Sequence, residues 1–348
     1  MKKSLNKTII SKCPLRLGLA GGGTDVEPYR KIFGGHCITA SISLYAHCRI
    51  TKNKKNKISF NLLDKKIIKT FNIDDVLDKK DSIFLLKMTY IYVMEKFNEN
   101  KRIPINLISY VDVPSGSGVG SSSSLVVAML GGLFSLLGKK IAKLSIAKHA
   151  VYIERVLCNL SGGQQDQYAA VYGGFNTILF NTDDSVSVKK IKLNKFFTND
   201  LNERLLLFYI GASRDSSKII DEQVKNIKNQ DKVSLNATHH LKKLSFDILE
   251  SLRSEETKTF FKLMEKSWTQ KTRLAKSITN DSIIRIYDIA KKNKADFVKV
   301  SGAGGGGFIL IGSNIENKYK IIDALKNKKN SMFYIFKFEN EGLQVSFI

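Results

Sequence analysis

Proline is scarce in this chain, four residues in 348 against twenty-four glycines. That balance excludes a collagen-like repeat and a long proline-rich linker. Long apolar runs are missing too, and nothing approaches the roughly 18–20 consecutive apolar residues of a membrane span. The basic start (Lys2, Lys3, Lys7) is followed by a single apolar pair, Ile9-Ile10, and then by Lys12, Pro14 and Arg16. A secretory segment needs about 7–15 apolar residues there, so a cytoplasmic location is expected. Cysteine is sparse and unpatterned: Cys13, Cys37, Cys48 and Cys158 contain no C-x-x-C pair and read as reduced, mostly buried thiols. The five histidines (His36, His47, His149, His239, His240) lack metal-ligand spacing, and no G-x-S-x-G elbow is present. Histidine-centred metal chemistry and serine hydrolysis are therefore not expected.

Acidic residues are the remaining deficit. Fifty-six Lys+Arg face 32 Asp+Glu, a formal net charge of +24. A nucleic-acid binder would concentrate that charge on one element, often interleaved with aromatics. Here the lysines scatter through polar loops, such as Lys52–Lys57, Lys65-Lys66, Lys189-Lys190 and Lys326–Lys329. No nucleic-acid partner is expected, and a positive field that draws in phosphorylated small molecules is the milder reading. The 43% hydrophobic and 25% charged content is that of a folded, soluble protein, and the length suits two domains with their own cores.

Patterning along the chain is mixed α and β. Strands are expected at Ile38–Ile42 with Ala46–Thr51, at Ile58–Leu62 and at Ile105–Val111, with a helix Ile83–Phe97 before the last of these. Ser121–Leu137 reads as an apolar helix stopped by Gly138, and Ser145–Leu160 as a second helix with Ser145 at its N-cap. Residues 181–200 turn polar and charged, which places a domain division at 185/186 and gives units 1–185 and 186–348. Beyond it come a buried strand Leu205–Ile210, several helices from about 217 to 293, and a glycine-rich run Ser301–Gly307 leading into Phe308–Ile311. Closing strands are expected at Met332–Phe338 and Leu343–Ile348.

The strongest local signal is Pro114-Ser-Gly-Ser-Gly-Val-Gly-Ser-Ser-Ser-Ser124, set between a strand and an apolar helix. Its glycines let backbone approach a ligand, and successive N–H groups at a helix N-terminus make an anion cradle. No Lys follows as in a Walker A loop, and Ser121 stands where a dinucleotide fingerprint needs Gly or Ala. Glu154 falls on the apolar stripe of its helix, with Ala147, Ala150, Val151, Leu157 and Cys158 at helical spacing. A carboxylate there needs a partner, either a basic side chain or a metal ion, and the phosphate loop upstream favours Mg²⁺. Asp166, in Ser161-Gly-Gly-Gln-Gln-Asp-Gln167, reads equally as a reactive carboxylate or as an N-cap for Gln167–Tyr172. Arg16 sits inside the apolar run of Pro14–Asp25, either ion-paired or reaching a phosphate, and Gly21-Gly-Gly23 precedes Asp25, which can accept from hydroxyls. The glycines of Ser301–Gly307 bind ligand or pack tightly against loops of the first unit.

Taken together and in this order, the three glycine segments resemble the GHMP kinases, small-molecule kinases named for galactose, homoserine, mevalonate and phosphomevalonate. The resemblance covers nearly the whole chain: Pro14–Asp25 is similar to the first motif, Pro114–Ser124 to the phosphate loop, and Lys299–Gly307 to the third. Within the family, Leu19–Asp25, Gln165–Tyr168, Gly173–Phe175, Trp268–Lys271 and Lys299–Gly307 look most like the heptose 7-phosphate kinases. Departures are Val119 where Leu is usual, Ser123-Ser124 in place of Ala-Ala, and a Gln where Lys often precedes Gln-Asp.

The resemblance implies an α+β, two-domain GHMP kinase fold, with a ribosomal S5 domain 2-like N-terminal domain and a ferredoxin-like C-terminal domain. It implies ATP and Mg²⁺ as cofactors. Pro114, Gly116, Ser117, Gly118, Val119, Gly120, Ser121, Ser122 and Ser123 would wrap the ATP phosphates, with Ser122 and Glu154 on the metal. Asp166 and Arg16 would be catalytic, and Gly22, Gly23, Thr24, Asp25, Gly304 and Gly305 would bind the sugar. Arg214, with Lys218 and Lys271 behind it, is the candidate for a phosphate already on the substrate; the alternative is a surface pair of Arg214 with Asp215 or Asp221. The implied reaction is phosphorylation of D-glycero-D-manno-heptose 7-phosphate at C1. Alternatives are a kinase for fucose, galactose or arabinose, and a silent sugar- and ATP-binding regulator. The expected partners are the sugar phosphate and a second copy of the chain as a homodimer, with no membrane.

Overall fold

The structure, a computed structural model, describes residues 8–211, 216–328 and 331–348. Among these residues the chain builds two sheets. The spine of the larger is the 18-residue strand Gly35–Lys52, too long to be matched by one neighbour on each side. One edge of it pairs antiparallel with Ile9–Ala20. Its other edge is shared, with Phe175–Phe180 against residues 35–40 and Ile105–Val111 against residues 46–52. Lys57–Leu62 runs parallel to Ile105–Val111, and the chain between them supplies the crossover that parallel pairing requires: the strand Ile67–Asn72 and the helix Phe84–Phe97. The edge strand Ile67–Asn72 follows a turn holding exposed Lys65 and Lys66 and itself carries exposed Lys69, charges that discourage pairing with another chain.

The second sheet is antiparallel in the order Met332–Tyr334, Leu205–Tyr209, Phe308–Gly312, Phe297–Val300. The division expected at 185/186 falls within the hairpin of Phe175–Phe180 and Val186–Lys190, so the chain leaves the first sheet only after Lys190. It comes back at the end, where Gln344–Phe347 pairs with Ile9–Lys12. One buried cluster joins the two halves, with Leu15, Leu17 and Ile38 packed in the same core as Phe260, Phe297 and Phe308. This shared core fixes the mouth between the sheets.

Several elements differ from expectation. The helix expected from Ser145 begins at Lys143 with Ala142 at the cap, so Ser145 lies inside it. At Tyr152 it widens into a π-helical turn that runs to Leu157. The closing strands are shorter than expected and join different sheets, and Phe338 retains only an isolated bridge to Ile42. The helix Ser121–Leu136 stops as expected, with Gly138 at φ 64° and the Lys139 N–H donating to Phe134 O at 2.8 Å. Among the described residues, no helix is long and apolar enough to cross a membrane.

Candidate active site

Where the sheets meet, the three glycine segments converge on a cleft of about 310 Å³. The phosphate loop reaches it with Gly116, Gly118 and Gly120 all at positive φ (74°, 78° and 77°), and Gly120 is the N-cap of the helix Ser121–Leu136. The loop is held from both sides. Arg16 Nη1 donates to Gly118 O at 2.7 Å and its backbone N–H to Val119 O at 3.0 Å. From the second half, Ser301 Oγ donates to Gly118 O at 3.0 Å. A Cβ on Gly118 would stand 2.6 Å from Ser301 O, and one on Gly302 2.7 Å from Gly118 O. Backbone packs on backbone there, so the third segment's glycines are needed for tight packing of the two halves.

Two carboxylates line the cleft in different surroundings. Asp166 lies in the first turn of Gln165–Tyr172, inside that helix, so the N-cap alternative does not hold. Its oxygens take a two-pronged contact from Arg16, Nε to Oδ1 and Nη2 to Oδ2, both at 2.8 Å. Arg16 is buried and Asp166 is 21% exposed at the side chain, which leaves the carboxylate open to the cleft. Glu154 is buried on the π-helical turn, a feature frequent at functional sites. It accepts from Ser123 Oγ at 2.6 Å, from Ser122 Oγ at 3.3 Å, and from Gln167 Nε2. Among the described residues it has no Lys or Arg ion-pair partner.

Asp25 turns out to be a brace. Its carboxylate is 1% exposed and accepts from the backbone N–H groups of Gln164 (2.8 Å), Gln165 (3.0 Å) and Gly23 (3.2 Å), and from Gln165 Nε2 (3.3 Å). It caps the helix Gln165–Tyr172 from a distant segment, where a negative charge suits the helix N-terminus. Thereby it locks the Gly22–Gly23 turn to the helix that carries Asp166.

Not every expected residue faces the cleft. Thr24 is buried with its hydroxyl donating to Gly21 O at 2.7 Å, and Ser117 and Val119 are buried behind the loop. Pro114 lies outside the cleft, and Gly304 and Gly305 pack on Ile278 while Gly302 and Ala303 line the cleft in their place. Arg214 is outside the described residues. Gly22, Gly23, Asp25, Gly116, Gly118, Gly120, Ser121, Ser122, Ser123, Arg16, Glu154 and Asp166 all line one cleft.

The cleft also holds two lysines, Lys271, expected behind Arg214, and Lys299, which local pattern did not single out as a cation of the site. Lys299 Nζ donates to Gly18 O (2.9 Å) and Leu19 O (2.6 Å), and Lys271 Nζ to Gly22 O (3.2 Å) and Gln223 Oε1 (3.4 Å). Burial pushes Lys299 down to about 7, helped by neighbouring Lys271 and Arg16. Burial likewise pushes Lys271 down to about 8, against the pull of nearby Asp25 and Cys37. A lysine inside the apolar run Phe297-Val-Lys-Val300 is the only sequence signal for the first of these. With Arg16 they stand in one cleft beside the carboxylates of Asp25, Glu154 and Asp166.

A glycine-rich loop at a helix N-terminus, a buried carboxylate on hydroxyls and an Arg-held carboxylate thus share one cleft. Residues 85–174 match the GHMP kinases N terminal domain and residues 248–330 the GHMP kinases C terminal. The chain belongs to the GHMP kinase family and has its two-domain fold, and it is a phosphotransferase acting on a sugar hydroxyl. It is 35% identical to the D-glycero-alpha-D-manno-heptose 7-phosphate kinase of Campylobacter jejuni, over 97% of this chain and 98% of that one. A crystal structure of a D-glycero-D-manno-heptose 1-phosphate kinase from Bacteroides thetaiotaomicron superposes with TM-score 0.80 at 29% identity, covering 98% and 99% of the two chains. The galactose-bound galactokinase of Lactococcus lactis shares the fold at TM-score 0.76 and 16% identity, covering 97% of this chain and 95% of that one.

Proposed function

We propose that this protein transfers the γ-phosphoryl group of ATP to the C1 hydroxyl of D-glycero-D-manno-heptose 7-phosphate, giving the 1,7-bisphosphate. The product would feed synthesis of a nucleotide-activated heptose for surface polysaccharide. The observation that carries the reading is the Arg16–Asp166 pair, set between the phosphate loop and the Gly22–Asp25 turn. Phosphoryl transfer needs positioning and charge neutralisation more than covalent chemistry, and this arrangement offers both. Asp166 orients the C1 hydroxyl and accepts its proton as the oxygen attacks. Arg16 holds that carboxylate in place, ties it to Gly118 of the loop, and offsets negative charge on the transferring group. The N–H groups from Gly116 to Ser123 receive the ATP phosphates at the start of the helix.

The donor set suits Mg²⁺. Among the described residues no group of three or more His, Cys, Asp or Glu side chains can hold a metal, so an all-protein cage is not what this cleft offers. One carboxylate with a neighbouring hydroxyl is what Mg²⁺ takes when phosphates and water complete its shell. Ser122 and Glu154 would hold the ion, which when bound neutralises charge on the phosphate oxygens.

The test is ADP release with Mg²⁺ and ATP over heptose 7-phosphate, heptose 1-phosphate, mannose, fucose, galactose, arabinose and mevalonate, with phosphorus NMR of the product. Turnover confined to heptose 7-phosphate, with a new anomeric phosphate signal, is expected. Faster turnover of heptose 1-phosphate or of a neutral sugar would overturn the substrate assignment, and ATP binding without any turnover would overturn the enzyme reading for these sugars.

A further inference from the structure

Two buried glutamines flank the Gly22–Gly23 turn, and each has one end tied to a charged group. Gln165 donates from Nε2 to Asp25, which forces its amide oxygen to the other side. Gln223 accepts at Oε1 from the Lys271 ammonium group, which leaves its Nε2 as the remaining end. These charged neighbours settle which amide atom is which, since an NH₂ cannot accept from an ammonium group and an amide oxygen cannot donate to a carboxylate. The two remaining atoms, Gln165 Oε1 and Gln223 Nε2, are buried with no hydrogen-bond partner among the described residues. Both side chains are more than nine-tenths buried and both line the cleft. The tied ends are the ones at the turn, a Cβ on Gly22 standing 3.7 Å from Gln165 Nε2 and one on Gly23 3.6 Å from Gln223 Oε1, while the free Gln165 Oε1 faces Gly18, where a Cβ would stand 3.3 Å away and which also lines the cleft. Ser117 Oγ and Gln167 Oε1 are also unpartnered, but neither residue lines the cleft.

Buried polar atoms are seldom left without partners, and two such atoms of opposite sense in a ligand cleft call for a ligand with both senses. A sugar hydroxyl donates and accepts. We propose that Gln165 Oε1 and Gln223 Nε2 read the hydroxyl pattern of the sugar ring, one as acceptor and the other as donor, and so determine which sugar is phosphorylated. This rests on the reading of the cleft as a sugar-kinase site. Asp25, saturated by protein N–H groups, then acts as the brace that aims Gln165, and Lys271 as the brace that aims Gln223. A site built to hydrogen-bond a hydroxyl rejects the analogue that lacks it far more strongly than an apolar pocket does.

The experiment compares kcat/KM for heptose 7-phosphate and its monodeoxy analogues in the wild type, Gln165→Met, Gln223→Met and Gln223→Glu. Gln223→Met is expected to lose roughly 10- to 100-fold on the parent sugar, with KM for ATP within about threefold of wild type. On the one analogue missing the hydroxyl that Gln223 reads, wild type and variant should differ by less than about threefold. Gln165→Met should behave in the same way with the analogue that lacks the hydroxyl Gln165 reads. Gln223→Glu keeps an acceptor for Lys271 but has no donor, so it should lose as much as Gln223→Met. Equal losses on every analogue would show a merely structural role and overturn the proposal, as would full activity in Gln223→Glu. If wild type prefers another sugar, the heptose assignment falls and the same comparison on that sugar decides the role of the amides. No turnover by wild type on any sugar overturns both.

Discussion

The replacement Asp166→Asn separates the two duties assigned to this carboxylate, because it keeps the shape and removes the charge. Arg16 is 6% exposed at the side chain and Asp166 21%, with N–O contacts of 2.7–2.8 Å. Removing one partner of a fully buried pair costs about 3–5 kcal/mol, since it strands the other charge. Two features reduce that here: Asp166 is partly open to solvent, and the asparagine oxygen still accepts one of the guanidinium N–H groups. Arg16 also retains its bond to Gly118 O. The remaining destabilisation is about 2 kcal/mol, a drop in melting temperature of roughly 3 °C for 348 residues that unfold together. The catalytic loss should be much larger. A positioned acid–base group contributes about 10²- to 10⁴-fold, so kcat should fall by that range while KM for ATP stays within about threefold. ADP release measured below the variant's melting transition reads the first quantity and a thermal melt the second. If turnover stays within tenfold of wild type while the melting temperature drops, Asp166 is only a counterion for Arg16 and the proposed proton transfer is wrong.

Two further outcomes follow from the same geometry. Glu154→Gln retains shape but presents a neutral amide to Ser122, Ser123 and Gln167, so the Mg²⁺ concentration for half-maximal activity should rise at least about tenfold; an unchanged Mg²⁺ titration would remove Glu154 from the metal site. Lys299 titrates near 7 in the folded chain because burial disfavours its charge, against about 10.4 when unfolded. Between those values the unfolded chain holds the extra proton, so this residue makes stability rise with pH, by up to about 1.4 kcal/mol per unit, from pH 7 to about 10. Below pH 7 both states are protonated and its contribution is flat and least favourable. Urea midpoints for wild type and Lys299→Met should therefore diverge across pH 7–9, and parallel curves would contradict the assignment.

What was legible in the sequence is what local pattern controls. Ile105–Val111 alternates buried and half-exposed residues over its first five positions, and its expected bounds match those observed. The phosphate loop was visible because glycine and serine at a strand-to-helix turn have one strong use. Ile9–Ala20 carries no clear strand signal in the sequence, since most of it is buried on both faces and shows no clean alternation. Helical spacing correctly put Glu154 inside, but the π-helical turn that aims it depends on a slip in backbone register that side-chain periodicity does not record.

The rest was hidden by distance along the chain. Arg16 and Asp166 meet across 150 residues, so neither alternative offered for each could be chosen locally. Asp25 shows why this matters for function. As an isolated carboxylate after three glycines it reads as a hydroxyl acceptor, but the backbone of residues 164 and 165 takes up its oxygens from 139 and 140 positions away. Once those oxygens are spent, reading the sugar falls to other groups that flank the same turn. The candidates that remain are neutral amides, a residue type common on any protein surface, and only their burial and their forced orientation mark them out. Substrate choice in such a cleft is therefore set by residues whose identity carries almost no signal until the fold has assigned every charged partner around them.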